Sequence, residues 1–328
     1  MPTEREAGLN AVRAAARLCA AVRSEMVAGT GADKLDKQDR SPVTIADFGA
    51  QAIVSRIIGE AFPNDTFVAE EDSALLRDEA NAMQLSAVRR FVEAELGAGD
   101  ETAILNWIDR GAGEPGDRFW VLDPIDGTKG FLRHDQYAIA LALVENGQVT
   151  RGFLACPALP HDGGTGAIFV AERGGGAEWC ALDNSDFQPV RVRDTHDPQQ
   201  ARLAESVESG HTNRGISAQM QEALGITSEP VRMDSQAKYA AVAWGQADIY
   251  LRAPNARTPD YRECIWDHAA GWLIVEEAGG TVTDVYGAPL DWTRGRRLEN
   301  NIGVIATNGH LHQQVLDALS ALLPARST

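Results

Sequence analysis

The sequence predicts a mixed α+β or α/β protein in which helices cover a β-sheet. Through the second half of the chain, short β-rich runs alternate with segments of helical periodicity. Residues 137–156, YAIALALVENGQVTRGFLAC, predict a β-hairpin with its turn at 145–148. The chain has 328 residues, of which 44% are hydrophobic, so a sizeable core is expected. We expect two halves, residues 1–160 and 161–328.

Two long helices are expected at the start of the chain. The first contains apolar residues that recur at helical spacing, namely Leu9, Val12, Ala16, Cys19 and Met26. The second helix is expected to start near Thr44 and to stop before Pro63. The charged residues 30–40 lie between the two helices and predict a mobile surface loop, which is a candidate lid.

Shorter elements are expected along the rest of the chain. Apolar and β-branched runs predict strands near 66–69, 118–122, 167–172, 204–207, 231–234, 248–252, 280–283 and 302–306. Helical spacing predicts helices near 82–97, 101–109, 215–224, 236–246, 266–278 and 311–323. Two of the predicted strands end in acidic segments, and these segments carry most of the functional information.

Charge and cysteine content argue against several classes of protein. Acidic residues outnumber basic ones by 47 to 30, and the formal charge of −17 disfavours binding to nucleic acids or anionic membranes. No apolar run reaches the roughly 18 residues of a membrane span, and the first residues lack a signal-peptide core. The four cysteines include no C-x-x-C pair. We expect a cytoplasmic protein without a nucleic-acid or membrane partner.

The segment WVLDPIDGTKGF, residues 120–131, ends an apolar strand with two carboxylates. The spacing of Asp123 and Asp126 argues against the D-x-D-x-T nucleophile of haloacid dehalogenases, and an EF-hand would need further acids. Two interpretations of this segment remain open. One is an acidic turn with Asx-type hydrogen bonds. The other is a metal cradle, in which Pro124 stiffens the bend, both carboxylates bind a hard cation and Thr128 orients a water.

Other acidic residues favour the metal cradle when they are considered together. Glu70 and Glu71 follow a predicted strand, although such runs are usually solvated loops. Asp47 is expected in the first turn of the second helix, where T-I-A-D also fits a capping box. Asp267 begins an apolar helix, where the helix dipole alone would stabilise its charge. Each structural explanation is reasonable singly, but their joint occurrence with the D-P-I-D-G-T segment favours a metal site.

Three motifs together resemble a known enzyme superfamily. They are E-E-D at 70–72, the segment at 120–131, and W-D-H-A-A-G at 266–271 followed by E-A-G-G. The combination resembles the lithium-sensitive, magnesium-dependent phosphatases that include inositol monophosphatase and fructose-1,6-bisphosphatase, over nearly the whole chain. Narrower motifs look like the 3′(2′),5′-bisphosphate nucleotidases, namely K-G-F-L-R at 129–133, S-V-E-S-G-H at 206–211, M-D-S-Q-A-K-Y at 233–239 and A-D-I-Y-L-R at 247–252.

The resemblance implies a layered α-β-α-β-α sugar-phosphatase fold and a set of site residues. The implied ligands of two or three Mg²⁺ ions are Glu70, Asp123, the Ile125 carbonyl, Asp126 and Asp267. Asp47 and Thr128 would together activate the attacking water. The implied substrate-binding residues are Gly127, His211, Ser235, Lys238 and Arg252. Lys238 and Arg252 would hold a 5′-phosphate, and His211 would lie against the base or ribose.

The same resemblance implies an activity. The expected reaction removes the 3′-phosphate of 3′-phosphoadenosine 5′-phosphate to give AMP, with the corresponding phosphosulfate as a second substrate and lithium as an inhibitor. The enzyme is expected to be a monomer whose partner is this small bisphosphonucleotide. One alternative is an inositol phosphate or inositol polyphosphate 1-phosphatase on the same scaffold. Another is a non-catalytic protein that binds metal or nucleotide.

The basic residues also have structural explanations. Lys238 is expected on an alanine-rich helix and would then belong to its solvated face, while Arg252 would pair with a surface acid. His211 lies in a glycine-flanked loop, where histidine is often only a hydrogen-bonded loop residue. His134 stands where the family usually has a small glycine, which leaves the shape of that loop open.

Overall fold

The described residues form two β-sheets with helices between them and on both outer sides. The structure is a computed structural model that describes residues 1–28, 41–207, 214–254, 258 and 260–325. The candidate lid at 30–40 and the predicted substrate residue His211 therefore lie outside the described residues.

The helices and strands alternate along the chain as follows. The helices are α1 Glu4–Ala28, α2 Ser41–Ala61, α3 Ala82–Leu96, α4 Glu101–Asp109, α5 Thr128–Arg133, α6 Arg214–Leu224, α7 Ala237–Ala243, α8 Ala269–Glu277 and α9 His312–Ser320. The strands are β1 Thr66–Ala69, β2 Arg118–Asp126, β3 Ala138–Glu145, β4 Gln148–His161, β5 Gly164–Glu172, β6 Gly176–Ala181, β7 Gln188–Pro189, β8 Leu203–Glu205, β9 Val231–Arg232, β10 Ile249–Arg252, β11 Thr281–Thr283 and β12 Val304–Thr307.

The two sheets differ in strand direction. In the first sheet the strands lie in chain order from β1 to β7, with β1 and β2 parallel and the remaining neighbours antiparallel. The second sheet has the order β11-β12-β10-β8-β9, and β10, β8 and β9 run parallel. A parallel pair ends both strands at the same edge of a sheet, and this property positions the site described below.

Alternation of side chains along the strands produces three apolar layers. Trp120 and Leu122 of β2 pack with α1 to α4, whereas Phe119 and Val121 face the opposite way and pack with α7 and α8. Tyr250 of β10 belongs to this same central layer, and its neighbours on β10 pack with α6 and α9. The order of layers is therefore α-β-α-β-α, as the resemblance implied.

Most predicted elements are confirmed, and the exceptions have physical causes. The short helix α5 and strands β6 and β7 were not predicted, because each has too few residues for a clear periodicity. Helix α2 begins at Ser41, before Thr44, so Asp47 lies in its second turn. The expectation that Asp47 caps this helix is wrong, because the free N–H groups belong to the first turn.

The predicted division of the chain at residue 160 falls inside strand β4. Residues 151–161 of that strand pair with β5, so both sides of the boundary contribute to one continuous sheet. The division of the chain into halves 1–160 and 161–328 stays a prediction. The four cysteines are buried and unpaired.

Gly271 provides a test of the central helix layer. A Cβ atom at this position in α8 would lie 2.4 Å from Cδ2 of Tyr239 in α7. The Tyr239 ring is buried and its hydroxyl lies 2.7 Å from Nδ1 of His268, so it has little freedom to move. Gly271→Ala should lower the free energy of unfolding by about 1–3 kcal/mol in urea denaturation. Gly116→Ala is the control, since its Cβ would meet no atom within 4 Å. Equal stability of the two variants would contradict this packing.

Candidate active site

Two carboxylates meet because β1 and β2 are parallel and end together. Ala69 pairs with Leu122 in the register of these strands, so the next residues, Glu70 and Asp123, lie side by side. The two carboxyl groups are close enough for the charge of Glu70 to raise the pKa of Asp123. Strand pairing therefore brings together two acids that are 53 positions apart in the sequence.

A β-bulge directs the second aspartate of β2 to the same side as the first. Asp123 pairs with Ala140 and Asp126 with Ala138, so Pro124 and Ile125 together oppose a single residue of β3. In a regular strand, residues three apart point to opposite faces. The extra residue of the bulge shifts the alternation of side chains by one position, so that Asp123 and Asp126 point to the same face of the sheet. The sequence predicted a bend after residue 122, whereas the structure has a bulged strand that continues to Asp126.

Asp267 reaches this group from the start of α8. It ends a 3₁₀ turn, Ile265–Asp267, which contacts β2 and β3. Gln236 holds the arrangement together, since its backbone N–H donates to Oδ2 of Asp126 over 2.6 Å. The side-chain amide of Gln236 donates to the Trp266 carbonyl (2.9 Å) and accepts from the Gly271 N–H (3.2 Å). Gln236 was not predicted as a site residue, although it lies inside the M-D-S-Q-A-K-Y motif at 233–239.

These acids form one wall of a cavity of about 260 Å³. The residues that were predicted from the sequence and that line this cavity are Glu70, Asp123, Ile125, Asp126, Gly127, Thr128, Ser235, Lys238, Arg252 and Asp267. Lys129, Asp234, Tyr250 and Tyr261 also contribute to its walls, and none of them was predicted as a site residue. The structure therefore gathers residues from remote parts of the chain into one concave site.

The carboxylates are in an environment that disfavours their charged forms. Burial, and then repulsion from Glu70 and Asp126, raises the pKa of Asp123 well above its ordinary value. The pKa of Asp267 is raised in the same direction, first by burial and then by Asp126. Glu70 is open to the cavity but enclosed by protein on its other sides, and burial followed by repulsion from Glu71 raises its pKa to about 7. A nearby cation would relieve this repulsion.

Asp47 lies behind the cavity wall and does not line it. It is buried in α2, and its pKa is raised well above the ordinary value by burial and then by the charges of Glu71 and Glu70. Gln51, one turn further along α2, donates to the Glu71 carbonyl (2.6 Å) and accepts from the Glu71 N–H (3.1 Å). Helix α2 also contacts α5, which begins at Thr128. The helix of Asp47 thus supports both the acidic segment and the segment of Thr128.

Two cationic side chains, those of Lys238 and Arg252, line the same cavity as the carboxylates and form its cationic region. Lys238 is only 4% exposed, so the expectation that it belongs to a solvated helix face is wrong. Its ammonium donates to the Ser235 carbonyl (2.8 Å) and lies 5.3 Å from the centre of the Tyr250 ring. Burial lowers the pKa of Lys238 to about 8. Ser235 adopts a left-handed φ of 67°, which turns its carbonyl toward this ammonium.

Arg252 pairs with a buried acid, and the surface acid suggested by the sequence is not its partner. Glu263 lies 3.0 Å from the guanidinium and 3.4 Å from Nε2 of His268, whose other ring nitrogen contacts Tyr239. Burial alone would raise the pKa of Glu263, but the charge of Arg252 lowers it to about 2. Glu263 offers no sequence signal, since it is a single acid in an irregular segment. It fixes the Arg252 side chain at the cavity wall and offsets part of its charge.

The loop after α5 contains His134, which stands where the resembling family usually has a glycine. This residue adopts a φ of 64°, in the left-handed region that favours glycine. Arg133, beside it, forms an ion pair with Asp234 of the cavity wall. The histidine therefore keeps the backbone conformation that a glycine would adopt there.

Known proteins resemble this chain over nearly its whole length. A profile described as the inositol monophosphatase family matches residues 4–323. A 3′(2′),5′-bisphosphate nucleotidase of Schizosaccharomyces pombe is 43% identical to this chain, and the match covers 97% of this chain and 95% of the relative. A 3′(2′),5′-bisphosphate nucleotidase of Oryza sativa is 45% identical, and the match covers 96% of this chain and 93% of the relative. The structure of an inositol monophosphatase from Anabaena (Nostoc) sp. PCC 7120 is similar in fold, with a TM-score of 0.63 and 21% sequence identity. The similarity covers 98% of this chain and 96% of the Anabaena chain. The chain belongs to the inositol monophosphatase family.

Proposed function

We propose that the protein is a magnesium-dependent phosphomonoesterase that removes the 3′-phosphate of 3′-phosphoadenosine 5′-phosphate, giving AMP and phosphate. The observation that carries the proposal is a single cavity lined both by the carboxylates and by the cationic side chains of Lys238 and Arg252. Relatives at 43–45% identity are named 3′(2′),5′-bisphosphate nucleotidases, which supports the same substrate. The corresponding phosphosulfate nucleotide is proposed as a second substrate.

The carboxylate wall fits divalent cations. One buried oxygen, Oδ1 of Asp123, has no hydrogen-bond partner among the described residues, although it is enclosed by protein. A buried carboxylate oxygen without a donor is costly unless a cation compensates it. Oxygen ligands suit Mg²⁺ better than softer metals. The proposed ligands of two or three Mg²⁺ ions are Glu70, Asp123, the Ile125 carbonyl, Asp126 and Asp267. Bound magnesium would make water more acidic and neutralise charge on the phosphoryl oxygens.

Thr128 and Asp47 are proposed to handle the attacking water. The side chain of Thr128 is exposed in the cavity, where its hydroxyl can accept a hydrogen bond from a water and donate one onward. Asp47, whose pKa is raised, lies in the helix behind Glu70 and Glu71 and is proposed to take up the proton. The walls of the cavity would then hold the phosphate ester in line with this water.

The cationic region is proposed to bind the 5′-phosphate. Among the described residues, Lys238 forms no hydrogen bond to a carboxylate, so its charge is available to a second phosphate. Arg252 shares its charge with Glu263 and would contribute directed N–H donors. Gly127 and Ser235 complete the proposed wall near the substrate, and His211 is proposed to contact the base or ribose.

Two other functions remain as alternatives. An inositol phosphate or inositol polyphosphate 1-phosphatase would use the same carboxylate wall but would make less use of a buried lysine. A non-catalytic binding protein would not need Thr128 or Asp47. No helix among the residues that the structure describes has the length and apolarity needed to cross a membrane. The monomeric state and the cytoplasmic location stay predictions.

A substrate panel tests the proposed function. Phosphate release should be measured in parallel from 3′-phosphoadenosine 5′-phosphate and from inositol 1-phosphate, each with Mg²⁺ and with Mg²⁺ plus lithium. The proposal expects preferential, lithium-inhibited turnover of the bisphosphonucleotide. Turnover of the inositol ester alone would reject the substrate. Magnesium-dependent nucleotide binding without turnover over hours would support the non-catalytic alternative.

Thr128→Ala tests the water-activating hydroxyl. The variant should lower kcat by about 10²- to 10⁴-fold, the usual range for loss of an assisted proton transfer. Magnesium affinity, measured by calorimetry, should change little. Thr128→Ser retains the hydroxyl and is the matched control, so it should keep most of the activity. Comparable losses in both variants would mean that the hydroxyl is not the group that matters.

Lys238→Met tests the 5′-phosphate site while preserving the length of the buried side chain. Loss of one charged hydrogen bond should raise KM for the bisphosphonucleotide roughly 10- to 100-fold. KM for 3′-AMP, which lacks the second phosphate, should be nearly unchanged. If both substrates were affected equally, Lys238 would have a structural role and no role in binding the 5′-phosphate.

A further inference from the structure

Three polar side chains lie together on the surface, outside the cavity described above. Asp194 and His196 belong to the segment after β7, and His310 lies in the turn before α9. One ligand atom from each residue lies within 4.8 Å of the other two. None of these residues lines the active-site cavity or was predicted as a functional residue.

The spacing of the three ligand atoms suits a metal ion. Nε2 of His196 lies 2.9 Å, and Nε2 of His310 lies 3.2 Å, from the same oxygen, Oδ1 of Asp194. Ligands of a tetrahedral zinc ion, at roughly 2.0–2.1 Å from the metal, are separated by roughly 3.3 Å. The observed separations therefore need only a small outward movement of the side chains to admit an ion.

The two imidazoles lie side by side, and hydrogen bonds join the backbone segments that carry them. The ring centres of His196 and His310 are 4.0 Å apart, with the rings tilted by 35°. Between their segments, the buried Asn308 amide donates to the carbonyls of Arg193 (3.1 Å) and Thr195 (2.8 Å). The separation of the two segments is therefore fixed independently of the histidines. This preorganisation lowers the entropy cost of binding a ligand.

The chemistry of the cluster differs from that of the active site. Two imidazoles and one carboxylate suit zinc and similar transition metals, whereas Mg²⁺ prefers oxygen ligands. The nearby Arg193 does not oppose a cation strongly, because its guanidinium lies 2.8 Å from the buried carboxylate of Asp248. The net charge of −17 also favours cations at the surface.

We propose that Asp194, His196 and His310 form a second metal site, which binds a divalent transition-metal ion such as zinc, with water completing the coordination. An ion at this position would clamp the segment after β7 of the first sheet to the turn that follows β12 of the second sheet. It would stabilise the junction of the two sheets without entering the catalytic cavity.

Zinc titration with matched histidine variants tests the site. Calorimetric titration of Zn²⁺ should be done with Mg²⁺ present at saturation, so that the active-site carboxylates are occupied. The wild type should bind one zinc ion that the His196→Ala, His310→Ala double variant binds at least tenfold more weakly. His161→Ala removes a histidine from another part of the surface and should bind zinc like the wild type.

Thermal unfolding provides a second readout of the same variants. Zinc should raise the Tm of the wild type and of His161→Ala, and should not raise that of the double variant, because an ion stabilises only the state that binds it. Equal Tm values of all three proteins without zinc would show that the substitutions leave the fold intact. Identical zinc titrations of the wild type and the double variant would overturn the proposal, and would leave hydrogen bonds to Asp194 as the sole role of both histidines.

Discussion

Repulsion among enclosed carboxylates is the constraint on which the rest of the site depends. Parallel pairing of β1 with β2 places Glu70 beside Asp123, and the bulge in β2 adds Asp126 to the same side. The fold does not place an arginine or lysine against Asp123, whose Oδ1 has no hydrogen-bond partner in the described part of the chain. The packing of the sheets and helices stabilises an arrangement that the charges alone would oppose. A divalent cation offsets this repulsion.

The cationic wall of the cavity, formed by Lys238 and Arg252, has the complementary problem, since it encloses positive charge. Burial lowers the pKa of Lys238 to about 8, and Arg252 is held by the buried Glu263. Gln236 joins the two walls, because its backbone binds Asp126 at the start of the helix that carries Lys238. The proposed bisphosphate would then interact with both walls, one phosphate at each.

The sequence predicted the elements with long periodic patterns and the acids at their ends, because both leave local signals. Three features could not be predicted because they depend on tertiary contacts. The bulge that turns Asp126 is set by the register with β3, and the burial of Lys238 depends on packing against both sheets. The partnership of Arg252 with Glu263 joins β10 to an irregular segment. Asp47 was predicted in the first turn of α2 but lies in the second, because the first residues of the helix carry no clear apolar pattern and its start was placed too late.

The pH dependence of stability, with and without Mg²⁺, tests the central claim most directly. Since the pKa of Glu70 is raised from 4.5 to about 7, the metal-free folded state holds extra protons and loses stability as the pH rises through that range. Titrating groups outside the carboxylate wall, such as His312, affect both forms of the protein and cancel in the comparison. The stabilisation by Mg²⁺ relative to chelator, measured by urea denaturation, should therefore grow from pH 5 to pH 7.5 and should shrink in Glu70→Gln. A magnesium effect that is absent, or that is the same at every pH and in the variant, would contradict the account.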